Sequence, residues 1–316
     1  MSGHGEIFPN LFLIGAMKAG TTSVHYVLSG HPQIFMSEVK EPKYFAFQKE
    51  QRHFLGPQDP ANQRLYVDRR RYLSLFRNRG TEKYAGESST IYLYSPEAAE
   101  NIKHEVPDAR ILVILRNPVD RAYSNFLYAR QRGLEPEPSF QRALEVEEAR
   151  IAQGWGPLWH YKSKGLYAEQ LERYLMNFPQ RQIFIGLYDD LQSHPTEFYR
   201  QIWQFLEVSD STVPADTVLN RSGAVRSPFL HVLLLFFLRL PRRLPRNLIW
   251  RLRTSAVGGL LSSRLEALYN LNLTSPPPLP LDVKNWLSHY YLSDIQKTEQ
   301  ILGKSLDLWR MKDKKQ

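Results

Sequence analysis

The chain has 316 residues, 42% of them hydrophobic and 23% charged, with 41 Lys and Arg against 32 Asp and Glu. That balance excludes disordered and collagen-like chains and supplies enough apolar material for a core. Cysteine does not occur, which excludes disulfide scaffolds, thiol catalysis and cysteine zinc sites.

In chain order, Ile7–Ile14 reads as a buried strand and Gly20–Ser29 as a helix. Lys83–Gly86 reads as a short strand and Pro96–Val106 as a helix. Ile111–Leu115 is a strong strand, followed by a helix over Pro118–Arg132. Gln141–Gln153 and Leu166–Asn177 read as helices, Gln182–Tyr188 as a strand and Pro195–Leu206 as a helix. Strands separated by helices predict an α/β fold, a P-loop-like parallel sheet flanked by helices. After Val208 the strand signal stops. Residues 209–228 read as a loop, and 229–272 as a basic helical stretch interrupted by Pro241 and Pro245. A last helix is predicted over Leu281–Leu302, ending at Gly303. The whole of 1–316 is read as one domain: a nucleotide-binding core over 7–208, a basic helical insertion over 209–280, and a C-terminal helix and tail over 281–316.

The net charge of +9 is concentrated. Between Thr217 and Leu265 there are nine Arg and no Asp or Glu. Such a segment suits an anionic partner or, more plainly, a solvated helical surface. Within it, 229–261 mixes Leu, Phe and Trp250 with Arg. The favoured reading packs this stretch beside an acceptor cleft; the other is peripheral contact with an anionic bilayer. Its longest apolar run, Phe229–Leu238, is about half the ~20 residues of a membrane-spanning helix. The N-terminus has neither the basic start nor the apolar run of a secretory signal. A soluble, cytoplasmic protein is expected.

The most informative segment is FLIGAMKAGTTS, Phe12–Ser23. Gly15 and Gly20 have the spacing of the two glycines of a P-loop, between an apolar strand and a helix start. Backbone N–H groups of such a loop wrap a phosphate, and the helix N-terminus adds partial positive charge. Here the residue after the second glycine is Thr21, and the lysine has moved into the loop as Lys18. The strand ILVIL ends in Arg116, where an NTPase carries the Asp that helps to hold Mg²⁺. Arginine binds an anion directly, so the site is predicted to hold a phosphorylated nucleotide without a metal.

These residues resemble the sulfotransferases that use 3′-phosphoadenosine 5′-phosphosulfate, PAPS. Ala16–Ser23 is similar to that family's 5′-phosphosulfate loop, and LRNPVDRAYSNF, Leu115–Phe126, to its 3′-phosphate element. The resemblance extends to 86–102, to 165–179 and to the C-terminal pattern of Asp294, Ile295, Leu302, Gly303, Leu306 and Trp309. It implies that Lys18, Ala19, Gly20, Thr21, Thr22 and Ser23 bind the 5′-phosphosulfate and that Arg116 and Ser124 bind the 3′-phosphate. Arg221 and Arg226 fall where the family has a loop that closes over the nucleotide, and are weaker PAPS contacts.

KEPKYF, Lys40–Phe45, is similar to the segment carrying the glutamate base in the heparan-sulfate-type branch. This implies Glu41 as general base, with Lys18 stabilising the leaving phosphate. Read structurally instead, Glu41 would pair with Lys40, Lys43 or Lys18, and Arg116 with Asp120 or Glu87. His31 reads as ending the first helix, and His104 and His160 read as structural, with substrate contact the alternative for those two. Heparan-acting enzymes carry a lysine where this chain has Ser88, so a less charged acceptor is expected: a glycan, a glycolipid or another hydroxyl (or amine) compound. No nucleic-acid partner is expected. The competing readings are a P-loop nucleotide kinase and a non-enzymatic basic module that binds membrane or nucleic acid.

Overall fold

A computed structural model describes residues 8–47, 54–57, 66–213, 224–225, 268 and 271–310. The first half of the core runs β1 (Leu11–Gly15), α1 (Thr21–Ser29), β2 (Ile34–Met36), α2 (Arg69–Leu73), β3 (Tyr84–Ser88), α3 (Ile91–Tyr94), α4 (Ala98–Glu105) and β4 (Arg110–Leu115). It continues with α5 (Pro118–Gln131), α6 (Phe140–Glu145), α7 (Glu147–Ala152), α8 (Tyr167–Asn177), β5 (Ile183–Leu187), α9 (Tyr188–Ser193) and α10 (Pro195–Leu206). Two short strands, β6 (Ala224–Val225) and β7 (Leu273–Thr274), pair antiparallel, and α11 (Leu281–Leu302) closes the chain.

The first five strands form a parallel sheet in the order β2-β3-β1-β4-β5. β1 is buried at every position and β4 at all but its first. Both are continuous apolar runs, as expected of parallel strands covered on both faces. β1 lies between β3 and β4, with Leu11 opposite Gly86 on one side and Arg110 on the other. The loop after β1 and the residues after β4 therefore emerge side by side at the carboxyl edge, where ligands of open α/β sheets bind.

The α/β expectation holds, with local corrections. β1 begins at Leu11 rather than Ile7. β2 was not anticipated: it has only three residues, Ile34, Phe35 and Met36, and is fixed by pairing with β3. The helix expected over 141–153 is two, meeting at Val146. Just past that break the buried Glu147 carboxylate turns inward. It accepts from the Lys162 amide at 2.6 Å, the Ser163 amide at 2.9 Å and the Ser163 hydroxyl at 2.7 Å. These bonds tie α7 to the turn before α8. The helical stretch expected over 229–272 lies almost wholly outside the described residues.

The C-terminal pattern fastens α11 to the core. Asp294 accepts from the Tyr167 and Ala168 amides at 2.7 and 3.1 Å, capping α8 from a different helix. The Trp309 indole donates to Asp189 at 2.9 Å. Gly303 ends α11 in the left-handed conformation, φ 60°, at the predicted residue. Among the described residues no helix is long and apolar enough to cross a membrane.

Candidate active site

The segment from Ala16 to Gly20 leaves β1 and enters α1 through two left-handed residues, Lys18 (φ 71°) and Gly20 (φ 81°). A Cβ on Gly20 would lie 2.9 Å from Leu191 Cδ2 and 3.0 Å from the Tyr188 ring, so glycine is required on both counts. Ala19 is buried beneath the turn, its amide donating to the Ala16 carbonyl at 3.1 Å. Thr21, Thr22 and Ser23 open α1 with their amides toward the loop end.

Cations converge on this loop. Arg116, the first residue after β4, donates to the Lys18 carbonyl at 2.9 Å, and its guanidinium lies 4.8 Å from the Tyr188 ring centroid. The Tyr167 hydroxyl donates to the Arg116 carbonyl at 2.9 Å, fixing the backbone there. The Lys18 ammonium lies 4.7 Å from the centroid of Tyr128 on α5, and the Arg132 guanidinium lies 4.7 Å from the same ring. Lys40 Nζ donates to Thr22 Oγ1 at 2.8 Å and to Thr21 Oγ1 at 3.4 Å. Lys18 is pushed down to about 8, first by burial and then by the charges of Arg116, Arg132 and Lys40. Burial also lowers Lys40. A donor set this positive at a helix N-terminus fits a phosphosulfate and a phosphate. Among the described residues no group of three or more His, Asp or Glu is arranged to hold a metal ion.

Glu41 occupies the facing turn with φ 61°. Its carboxylate accepts from the Thr90 hydroxyl at 2.8 Å and from the Thr90 amide at 3.1 and 3.2 Å. Among the described residues it forms no ion pair with Lys40, Lys43 or Lys18, so the structural pairing considered from sequence does not occur. The turn is tied to β3 and α3 by backbone donors: Glu41 to the Ser88 carbonyl at 2.8 Å, Lys43 to the Ser89 hydroxyl at 3.0 Å and Phe45 to the Tyr92 hydroxyl at 3.2 Å. Ser89 and Tyr92 in turn donate to the fully buried Glu87 at 2.7 Å each, and Tyr72 donates to it at 2.6 Å. Burial, against these three hydroxyls, pushes Glu87 up to about 7. Glu87 is thus the anchor of the Glu41 turn and is not a partner of Arg116.

Ser124 is buried on α5, two turns beyond Arg116. Arg221 and Arg226 lie outside the described residues. His31 is buried, with Nε2 2.8 Å from the Ser209 carbonyl, and its ring lies tilted at 42° against Trp203, centroids 4.6 Å apart. His104 is exposed on α4. His160 bonds the Tyr94 hydroxyl and the Trp155 carbonyl, and burial pushes it down to about 4. Sequence reasoning did not single out Lys40 as a site residue, or His25, whose Nδ1 lies 2.8 Å from the buried Ser88 hydroxyl. The only signal for Lys40 was its place in KEPKYF. Nothing marked His25, because its partner is 63 residues away.

A model of the sulfotransferase family matches residues 9–212. The chain is similar to the crystal structure of a sulfotransferase from Alicyclobacillus acidocaldarius, with 29% identity and a TM-score of 0.73 over 96% of this chain and 100% of that one. It is also similar to bifunctional heparan sulfate N-deacetylase/N-sulfotransferase 4 of Mus musculus, 31% identical over 207 residues, and to the corresponding protein 2 of Bos taurus, 28% identical over 205. Each of these alignments covers 64% of this chain and 22% of the relative, so the chain spans about a fifth of the length of those curated relatives.

Proposed function

The chain belongs to the sulfotransferase family, and from that premise we propose that it moves a sulfuryl group from PAPS to a hydroxyl or amine of a glycan, glycolipid or other small acceptor. It is an α/β enzyme of the PAPS-dependent type. The observation that carries the finer reading is the convergence of Lys18, Arg116, Lys40 and Arg132 on one glycine loop.

In this proposal Lys18–Ser23 hold the 5′-phosphosulfate, and Arg116 and Ser124 hold the 3′-phosphate. Bound PAPS supplies an activated sulfuryl group. Glu41 Oε takes the proton of the acceptor hydroxyl or amine, while the Thr90 amide and hydroxyl keep the carboxylate aimed. The Lys18 ammonium stabilises negative charge at the phosphate end. Arg221 and Arg226 remain candidate nucleotide contacts, and 229–261 a candidate membrane contact; both lie outside the described residues. Ser88 is fully buried against His25, so position 88 offers no cation to an acidic glycan. This favours a less charged acceptor than heparan sulfate.

The test is thermal unfolding with ligands. Binding to the native state adds about 2.7 kcal/mol at 100 times Kd. The midpoint is expected to rise with 3′-phosphoadenosine 5′-phosphate (PAP), to rise little with AMP and to show no Mg²⁺-dependent response to ATP. A response confined to Mg²⁺-ATP would instead support the kinase reading. Acceptors are then screened with labelled PAPS.

A further inference from the structure

The short turn Ser163–Gly165 that precedes α8 directs Lys164 into the protein. Lys164 is only 6% exposed. Its ammonium lies 3.3 Å from Met17 Sδ and 3.3 Å from Asn125 Oδ1. The oxygen contact is long and a thioether is a weak acceptor, so three N–H donors are poorly satisfied. Among the described residues no carboxylate forms an ion pair with it.

The surroundings supply opposite charge only at a distance, with no ion-pair partner among the described residues. Arg121, fully buried one turn before Asn125 on α5, donates to the Tyr161 carbonyl, while its Nε and Nη1 have no hydrogen-bond partner among the described residues. The buried Glu147 carboxylate acts on Lys164 with the favourable sign, but its oxygens are held by the Lys162 and Ser163 amides and the Ser163 hydroxyl, not by the ammonium. Glu41 and Lys43 act on Lys164 with opposite signs. Burial, reinforced by Arg121, pushes its pKa well down. An unpaired buried cation is unfavourable unless an anion completes the site.

One contact locates that anion. Met17 is the residue before Lys18, so the ammonium lies beside the loop read above as the phosphosulfate site. Resting on the PAPS reading above, we propose that Lys164 is a further substrate-contacting residue, whose ammonium donates to a non-bridging oxygen of the sulfuryl group of bound PAPS.

PAP lacks that group, so the contact separates two ligands that share every other atom of the site. Calorimetry would titrate PAP and PAPS separately, without acceptor, into the native chain and into Lys164→Met. Loss of one charge-assisted hydrogen bond predicts that PAPS affinity falls roughly 10–100-fold in the variant, with PAP affinity unchanged. Lys164→Gln keeps a neutral donor of similar reach; it is expected to lose less, and it carries the same test should the Met variant not fold. Equal losses for both nucleotides would mark a structural lysine, and an unchanged PAPS affinity an ammonium that never meets the sulfuryl group; either overturns the proposal. A native chain that binds neither nucleotide would refute the PAPS reading itself, and this inference with it.

Discussion

Raising the pH from 8 to 9.5 is expected to weaken PAP binding, and Lys18 sets the size of the effect. In the free protein this amine is brought down to about 8 from its ordinary 10.5, by burial first and then by Arg116, Arg132 and Lys40. A bound phosphate brings opposite charge and returns the pKa toward its ordinary value. Below pH 8, Lys18 is protonated in both states and contributes no pH dependence. Above pH 8, binding must take up a proton, and affinity falls up to tenfold, or 1.36 kcal/mol, per pH unit. Half of the amine is already deprotonated at pH 8, so the interval from 8 to 9.5 predicts a loss of about 15-fold. Lys40, also lowered, acts in the same direction, and the second ionisation of the phosphates, with a pKa of about 6, is essentially complete by pH 8. The ligand-free protein shows the opposite trend. Its unfolded chain holds the Lys18 proton more tightly, so a destabilisation on the order of 3 kcal/mol is fully present below pH 8 and is relieved as the pH rises toward 10.5. Calorimetry at four pH values with the native chain and Lys18→Met checks this: a sloping affinity in the first, a weaker and flatter one in the second. A native affinity for PAP that stays constant from pH 8 to 9.5 would refute the placement of Lys18 against a phosphate.

Replacing Glu41 by Gln keeps an oxygen for Thr90 and removes the basicity. Turnover with labelled PAPS is expected to fall on the order of 10²–10⁴, with PAP affinity retained. Turnover within about tenfold of native would exclude Glu41 as the base. Glu87→Gln reports on stability instead. With the Glu87 pKa raised from 4.5 to about 7, the carboxyl contributes stability that is fully present below pH 4.5 and is lost as the pH rises through 7, an effect on the order of 3 kcal/mol. Urea titrations at pH 4.5, 6 and 7.5 should show the native chain losing ground to the variant as pH rises. A parallel pH dependence of the two proteins would mean that Glu87 titrates normally.

The strand–loop–helix of Phe12–Ser29 was legible because the glycine spacing, the apolar run and the helix-opening threonines all point the same way. Arg116 was legible from its place at the end of ILVIL, and α11 from its periodicity and terminal glycine. β2 was not, since three residues carry no usable period and a partner strand defines it. The break at Val146 was hidden because Glu147 looks like any helix-surface acid until Lys162 and Ser163 are folded against it. Nothing in the sequence marked Lys164, and only the packing of α5 and Met17 around it reveals a buried lysine. These misses share one cause: each depends on contacts between residues distant in sequence.

The turn around Glu41 solves an electrostatic problem that two adjacent residues pose. Lys40 and Glu41 have opposite charges, and an exposed turn would let them pair. Left-handed backbone at Glu41, unfavourable for a non-glycine residue by about 1 kcal/mol or more, sends the two side chains apart. Lys40 reaches the hydroxyls that open α1, and Glu41 reaches Thr90 before α3. The strain persists because three backbone donors of the turn are held by β3, Ser89 and Tyr92, and the last two are held by Glu87. The buried Glu87 carboxyl thereby keeps cation and base on different partners. Were the two to pair, the ammonium would lose its reach toward a phosphate and the carboxylate its affinity for a proton.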